Sequence, residues 1–251
     1  MFLRSHSWSS PASLQPTRAP MSPRLTLGRL NGTIRDTWLV RASIVVWLTA
    51  VVTGFLWAID YDVRPAAVLA APEQWPADSR LERPSQAPTV LMFVHPKCPC
   101  TRASLAELAR IKEQAGEALS VQLVLVDLPE LKVDWKRSGV WPSIKAIKDA
   151  KLWFDSEGVE GRRFAAKASG YTLVYDADGR LAFSGGITGA RGHFGPNANS
   201  DTLAAVAVHP HVGAAASQVP STPVFGCPLF DSSGDCCKVK NSDHAKHPAS
   251  F

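Results

Sequence analysis

The sequence predicts an α/β domain that follows a single membrane-spanning helix. Two continuous apolar runs, TVLMFV at 89–94 and VQLVLVD at 121–127, have the length and composition of buried β-strands. Between them, TRASLAELARIKEQA at 101–115 carries leucines at helical spacing. A further apolar run, 42–59, has 18 residues without a formal charge and reaches the length needed to cross a hydrocarbon layer of roughly 30 Å.

The charge distribution limits the classes of function. Of 251 residues, 45% are hydrophobic and 20% are charged, which is typical of a globular chain. The net charge of +5 comes from residues 1–41, which hold six arginines and one acidic residue, Asp36, whereas residues 42–251 carry equal numbers of basic and acidic side chains. A nucleic-acid-binding protein would carry its excess positive charge on the folded domain. We therefore expect no nucleic-acid partner.

The apolar run is expected to be an uncleaved anchor, extended by Trp38 to residues 38–59. Arginines precede it and Asp60 and Asp62 follow it, so the positive-inside rule places the N-terminus in the cytoplasm and the domain in the periplasm or outside the cell. The arm at 1–37, rich in Ser, Pro and Arg, is then a flexible cytoplasmic extension. A cleaved signal peptide is the competing interpretation, but the leader is long for one.

The remaining chain is predicted to comprise a linker, a domain and a tail. Five prolines mark residues 60–88 as a linker that lifts the domain off the membrane. The domain itself spans 89–209, and its first two strands with the helix between them form a βαβ unit with a parallel crossover. Residues 210–251 are expected to be a cysteine-containing tail.

The second half of the domain has three predicted features. The long connection at 128–168 is predicted to be a covering helical layer, with a helix around SIKAIKDAKL. YTLVYDADGRLAFSGG alternates around Asp178-Gly179 and predicts a β-hairpin. SDTLAAVAVH at 200–209 predicts a final helix, with Ser200 or Asn199 as its N-cap.

The order β-α-β, helical connection, β-hairpin and helix resembles the thioredoxin-like fold over about residues 87–210. The strings FVHPKCPCTRASLAEL and YDADGRLAFSGGITGARGH are similar to those of bacterial membrane-anchored proteins called RedB, which are classed as thioredoxin-like. The resemblance places the cysteine turn where thioredoxin-like proteins keep their redox site. It implies thiol–disulfide chemistry with protein thiols or disulfides of the cell envelope as partners, and no required cofactor.

The turn itself has the features of a reactive thiol site. Cys98 ends the turn after the first strand and Pro99 suits the first helical position, so the helix N-terminus would stabilise a thiolate at Cys98. Positive charge nearby would come from Lys97, Arg102 and protonated His95. We expect Cys98 to attack and Cys100 to resolve.

Two departures from the thioredoxin pattern bear on this expectation. Thr101 occupies the place of the second thioredoxin cysteine, and Cys100 comes one residue early. A Cys-x-Cys disulfide closes a smaller ring than a Cys-x-x-Cys disulfide and is strained. Strained disulfides are more easily reduced, which favours oxidation or isomerisation of substrate disulfides. Ser169-Gly170 stands where thioredoxins have a substrate-docking cis-proline, and Gly170 would leave room for a substrate there.

Three other functions stay open at this stage. Cys98 and Cys100, with His95 or His193, are soft ligands of the kind that hold Cu(I), so a copper-binding or copper-delivery module is the main alternative. A peroxidase is disfavoured, because peroxiredoxins place Thr three residues before the attacking cysteine and this chain has His95. A non-catalytic interaction domain is the third alternative.

The tail contains three further cysteines. Cys227 lies in VFGCPLF, whose apolar residues suit docking onto the domain, and it is a candidate resolving thiol for Cys98. Cys236 and Cys237 are adjacent and could form a strained vicinal disulfide or bind a soft metal ion together with His244 and His247. An exposed tail with incidental cysteines is an equally weighted interpretation.

Overall fold

Helices and strands alternate along most of the chain. The computed structural model describes residues 30–82, 86–209 and 218–230. The chain divides into two units, Met1–Gly54 and Phe55–Phe251. The α-helices are α1 (Leu30–Val63), α2 (Thr101–Ala115), α3 (Trp141–Lys145), α4 (Val159–Arg163) and α5 (Ala198–Val208). The strands are β1 (Thr89–Val94), β2 (Ser120–Asp127), β3 (Lys151–Ser156), β4 (Thr172–Tyr175), β5 (Leu181–Gly185) and β6 (Ser221–Thr222). Short 3₁₀ helices cover Gly116–Ala118, Pro129–Leu131 and Trp135–Arg137.

Helix α1 is apolar over most of its length. The part Thr37–Val63 is long and apolar enough to cross a membrane, with a mean hydropathy of 2.1. None of this apolar stretch is buried. The hydroxyls of Ser43 and Thr49 each donate to the carbonyl four residues earlier, so both polar groups are satisfied within the helix. The predicted apolar helix at 38–59 is therefore confirmed, and the helix itself begins at Leu30.

A six-stranded sheet with the order β3-β2-β1-β4-β5-β6 lies at the centre of the second unit. β1, β2 and β3 are parallel, β4 runs antiparallel to both β1 and β5, and β6 runs parallel to β5. The predicted βαβ unit and hairpin are confirmed. Because β1 has neighbours on both sides and layers on both faces, all six of its side chains are buried, which explains its continuous apolar run.

The sheet separates two hydrophobic clusters, as the alternation of side chains along β1 requires. Val90, Met92 and Val94 face a cluster built with α2, α3 and α5. Leu91 and Phe93 face a second cluster, which includes Phe164 at the end of α4 and side chains from the segment that follows α1 and from residues 218–230. The cysteine turn follows β1 at its C-terminal end.

The connection at 128–168 contains a strand that the sequence analysis did not predict. The helix predicted around SIKAIKDAKL is wrong in extent, because α3 ends at Lys145 and β3 begins at Lys151. β3 lies at the edge of the sheet, and of its six side chains only that of Asp155 is fully buried. An edge strand lacks the continuous apolar run that marked β1 and β2, so periodicity did not reveal it.

The N-cap of the last helix also differs from the prediction. Asn197, and neither Ser200 nor Asn199, caps α5: its side-chain oxygen accepts the backbone N–H of Asn199 at 3.1 Å and of Ser200 at 3.2 Å. The hydroxyl of Ser200 accepts the backbone N–H of Asn197 at 3.1 Å, which completes a capping box. Ser200 is therefore the third residue of the helix and assists the cap.

The proline-rich segment after α1 is part of the domain and not a spacer. Trp75 and Leu81 are buried in the second cluster, and the Trp75 backbone N–H donates to the Gly179 carbonyl at 2.8 Å. The Trp75 ring packs edge-on against Phe164 and Tyr175, with both centroid distances at 5.2 Å. An aromatic triad therefore fixes this segment on the sheet.

This packing predicts a large loss of stability for Trp75→Ala. The replacement removes a buried aromatic side chain and leaves a cavity, so the free energy of unfolding should fall by about 3–5 kcal/mol in urea titrations of the full chain in detergent. Phe194→Ala, at a side chain that is 59% exposed, is the control and should change it by less than about 0.5 kcal/mol. Equal effects of the two replacements would contradict the assignment of this segment to the domain.

Candidate active site

The cysteine turn joins the end of β1 to the start of α2. The backbone N–H of Cys98 donates to the His95 carbonyl at 3.3 Å, and Cys100 is the N-cap residue of α2, which begins at Thr101. Pro99, predicted for the first helical position, therefore stands before the N-cap. Cys98 is fully buried and Cys100 is half-buried, so Cys100 is the more accessible thiol of the pair.

A third cysteine completes the site. Cys227 is buried and packs against Cys98 and Cys100, and all three are thiols. Its backbone carbonyl accepts the N–H of Ser169 at 2.8 Å. Part of the segment that the sequence analysis assigned to the tail, residues 218–230, thus belongs to the domain and lies at the cysteine turn. The tail residues Cys236, Cys237, His244 and His247 lie outside the described residues.

Ser169 and Gly170 lie beside the cysteine turn. The Ser169 hydroxyl accepts the backbone N–H of His95 at 2.8 Å and lies 2.6 Å from the Thr101 hydroxyl. Gly170 has a φ of +85° and donates its N–H to the Phe93 carbonyl at 2.7 Å. A side chain at position 170 would be strained, because its Cβ would lie 2.9 Å from the Ser104 hydroxyl oxygen.

Hydrogen bonds stabilise a thiolate at Cys98 in spite of its burial. Hydrogen bonds from the thiols of Cys100 and Cys227 hold the pKa of Cys98 well below its ordinary value, and further ones come from the Thr101 side chain and the Cys227 backbone. Desolvation opposes this shift and is outweighed. The structure therefore favours a thiolate at Cys98 in the folded state.

Cys100 shows the opposite shift. Its hydrogen bond with Cys227 favours the charged form, but the hydrogen bond to Cys98, burial and repulsion by the Cys98 thiolate together raise the pKa of Cys100 to about 11. The positive charge of Arg191 only partly offsets this rise. The pair thus shares one proton, which stays on Cys100 at neutral pH.

Arg191 is a residue of the site that the sequence analysis missed. Its guanidinium donates to the Gly226 carbonyl at 2.9 Å, to the Tyr61 carbonyl at 3.1 Å and to the Arg64 carbonyl at 3.2 Å. It therefore holds the residue next to Cys227 against the end of α1. A lone arginine in a glycine-rich loop gave little signal in the sequence, because its partners are backbone carbonyls.

The other residues predicted to tune the thiolate lie less favourably for that role. Lys97 and Arg102 are exposed, and neither they nor His95 contribute among the largest effects on the pKa of Cys98. His95 is fully buried and its Nδ1 accepts the backbone N–H of Lys97 at 3.2 Å, which shapes the turn.

His193 is exposed in the loop after β5. Within the described parts of the chain, no three His, Cys, Asp or Glu side chains are arranged to hold a metal ion. His193 therefore does not complete a three-ligand site with Cys98 and Cys100.

Comparisons with known proteins bear on the fold. No protein-family model matches the sequence, and no curated protein is significantly similar to it. Among solved structures, a hypothetical protein from Sinorhizobium meliloti is similar with a TM-score of 0.50 and 16% identity, over 67% of this chain and 97% of that one. An uncharacterised conserved protein from Geobacillus kaustophilus has a TM-score of 0.49 and 16% identity, over 67% and 90% of the two chains.

A secreted disulfide oxidoreductase of Mycobacterium tuberculosis is also similar, with a TM-score of 0.36 and 19% identity, over 50% of this chain and 83% of that one. The domain has a thioredoxin-like fold. Its core is the βαβ unit and the hairpin, with the cysteine turn between β1 and α2. At these identities the similarity concerns the fold, and the activity has to be argued from the thiols.

The hydrogen bonds to Cys98 predict the effect of two replacements on its titration. Cys100→Ala and Thr101→Val each remove a hydrogen-bond partner of the thiolate, so each should raise the pKa of Cys98 toward its ordinary value near 8.5. Ultraviolet thiolate absorbance of the reduced chain, titrated with acid and base, measures this shift. Thr202→Val on α5 is the matched control, and a Thr101→Val titration that coincides with it would contradict the assignment.

The same shift fixes the sign of a pH effect on stability. Because the pKa of Cys98 is lower in the folded than in the unfolded chain, the folded state binds fewer protons, and the Cys98 contribution to the free energy of unfolding rises with pH up to about 8.5. Above that pH the Cys100 contribution falls toward pH about 11, because the folded state retains its proton.

Proposed function

We propose that this chain is a membrane-anchored thiol–disulfide oxidoreductase that acts outside the cytoplasm through Cys98 and Cys100. The observation that carries the proposal is the cluster of three thiols at the start of α2, in which hydrogen bonds stabilise a Cys98 thiolate. A thiolate is the nucleophile of disulfide exchange. A buried cysteine with a purely structural role would keep its proton, since burial alone raises a thiol pKa.

The exchange transfers two electrons. The Cys98 thiolate attacks one sulfur of a substrate disulfide, the substrate S–S bond breaks, and one substrate thiolate leaves and takes a proton from water. The Cys100 thiol then loses its proton and attacks the Cys98 sulfur, so that the second substrate thiol is released and a Cys98–Cys100 disulfide forms. The substrate is reduced and the protein is oxidised, and the reverse sequence oxidises a substrate dithiol.

The compartment and the partners are part of the proposal. The apolar helix at Thr37–Val63 has arginines before it and acidic residues at its end, which supports a single-pass orientation with the domain outside the cytoplasm. Protein thiols and disulfides of the cell envelope are the proposed substrates, since disulfides persist there. The similarity to RedB-type strings supports the same assignment.

Cu(I) binding is the second candidate, because Cys98 and Cys100 supply two soft sulfur ligands in one cluster. In that case Cys98 and Cys100 would be the ligands, without a third ligand from His193. A non-catalytic interaction domain is the third candidate, and it predicts that none of the cysteines matters for exchange or for copper.

The test is disulfide exchange by the reduced full-length chain in detergent, with a protein disulfide as substrate. Cys98→Ser should lower the exchange rate by roughly 100-fold or more, because it removes the nucleophile. Cys236→Ser, the same replacement at a cysteine without an assigned role, is the matched control and should retain the rate. A parallel titration with Cu(I) measures whether the metal protects the thiols from alkylation.

Retained exchange in Cys98→Ser would overturn the proposal. Absence of exchange combined with one Cu(I) bound per chain would establish the copper module in its place. Absence of both disulfide exchange and Cu(I) binding in the unmodified chain would leave the interaction domain.

A further inference from the structure

Residues 224–229, hereafter the covering segment, close the site over Cys98. Val224, Cys227 and Leu229 are buried, and both the thiol and the backbone of Cys227 hydrogen-bond the Cys98 sulfur. Cys98 itself is fully buried. The thiolate that is best suited to attack is thus shielded, and the half-buried Cys100 keeps its proton. An external disulfide does not reach Cys98 while the covering segment is docked.

The covering segment is held by backbone pairing. Residues 227–229 run antiparallel to residues 167–169: the Ser169 N–H donates to the Cys227 carbonyl at 2.8 Å, and the Leu229 N–H donates to the Lys167 carbonyl at 2.7 Å. This is the geometry in which an extended peptide adds to an exposed strand. Hydrogen bonds between backbones do not depend on the side chains, so another extended peptide can bind at the same place.

Gly226 permits this close approach. A Cβ at position 226 would lie 1.8 Å from the carbonyl oxygen of Ser169, which is backbone and has no flexible side chain to move aside. The Gly226 carbonyl also accepts the Arg191 guanidinium at 2.9 Å. Any larger residue before Cys227 would therefore push the covering segment away from residues 167–169.

We propose that the covering segment is an internal substrate of the site and that Cys227 is the thiol with which Cys98 forms its resting disulfide. The segment must then leave residues 167–169 before an external cysteine peptide is bound. The proposal rests on the proposed thiol–disulfide function. It also defines the external partner as an extended chain with a small residue before its cysteine, because that residue would meet the Ser169 carbonyl.

The chemistry balances with a disulfide as the oxidant. The Cys98 thiolate attacks glutathione disulfide or a protein disulfide, which yields a mixed disulfide at Cys98 and one released thiolate. Cys227 then loses its proton to water and attacks the Cys98 sulfur, so that the Cys98–Cys227 bond forms and the second thiol leaves. The oxidant gains two electrons, and the two cysteines lose them.

Cys227 is better placed than Cys100 for the resting disulfide. Cys98 and Cys227 are both buried and in contact, so a bond between them would be shielded from solvent thiols. It would close a loop of roughly 130 residues, whereas the Cys98–Cys100 bond closes a strained small ring. The pKa of Cys100, about 11, leaves little thiolate there at neutral pH.

The first experiment maps the disulfide of the oxidised full-length chain in detergent. Cys236 and Cys237 are replaced by Ser in all samples, so that Cys98, Cys100 and Cys227 are the only thiols. After equilibration with glutathione disulfide and alkylation, peptide mass spectrometry is expected to find most Cys98 bonded to Cys227, also in Cys100→Ser. In Cys227→Ser, the Cys98 disulfide is expected to move to Cys100 or to glutathione. A map dominated by the Cys98–Cys100 disulfide in the chain that retains Cys98, Cys100 and Cys227 overturns the inference.

The second experiment measures access to Cys98 by the alkylation rate of the reduced chain in the Cys100→Ser background. Gly226→Ala should raise the rate by about tenfold or more, because the docked segment then opens and an opening-limited reaction follows the open population. Gly139→Ala, at an exposed glycine with open space around it, is the matched control and should leave the rate unchanged. Circular dichroism checks that both variants are folded.

Failure of the inference is distinguishable from failure of the proposed function. If Cys98→Ser abolishes exchange while Gly226→Ala leaves the alkylation rate unchanged and Cys227→Ser leaves the disulfide map unchanged, the oxidoreductase stands and the internal substrate does not. If Cys98→Ser retains exchange, both are overturned. If the Gly226→Ala chain does not fold, the disulfide map alone supports or overturns the inference.

Discussion

The pairing between the end of β1 and the turn at 168–171 is the constraint on which the thiol site depends. Phe93 donates its N–H to the Tyr171 carbonyl at 3.0 Å and accepts the N–H of Gly170 at 2.7 Å. This double contact fixes Ser169 between β1 and the covering segment, where its hydroxyl binds the His95 backbone and its N–H binds Cys227. The cysteine turn and the covering segment are therefore ordered by one residue, and displacing either alters the surroundings of the other.

The low pKa of Cys98 results from short-range hydrogen-bond donors, whose effect exceeds that of burial. Burial opposes charge on the sulfur, and the hydrogen bonds from Cys100, Cys227 and Thr101 more than offset it. The cations that the sequence suggested, Lys97 and Arg102, are exposed and are not among the largest effects on this pKa. The covering segment therefore contributes part of the stabilisation of the thiolate, and Cys100 and Thr101 of the cysteine turn contribute the rest.

The parts that the sequence predicted well are those whose signal is local. β1 was predicted with the bounds observed, and α2 was predicted with a start at Pro99, two residues before the observed one, since a strand buried on both faces and an amphipathic helix carry their pattern within themselves. β3 was missed because an edge strand owes its conformation to pairing with β2, and Trp75 was assigned to a linker because its partners, Phe164 and Tyr175, are distant in sequence. The chemistry of Cys98 was recognisable, whereas the position of Arg191 depends on carbonyls that no sequence pattern marks.

The contacts of Arg191 connect the covering segment to the end of α1. One guanidinium binds the carbonyls of Gly226, Tyr61 and Arg64, and it also stacks over the Tyr61 ring at 5.0 Å. A hydrogen bond to a charged group contributes about 1.5–3 kcal/mol, so releasing Gly226 has a substantial cost while the contacts to residues 61 and 64 persist. The covering segment is consequently attached on one side by backbone pairing to residues 167–169 and on the other by a side chain anchored at the end of the apolar helix. A bound peptide that replaces the segment reproduces the first attachment through its own backbone, and it gains the second only if its carbonyl reaches Arg191.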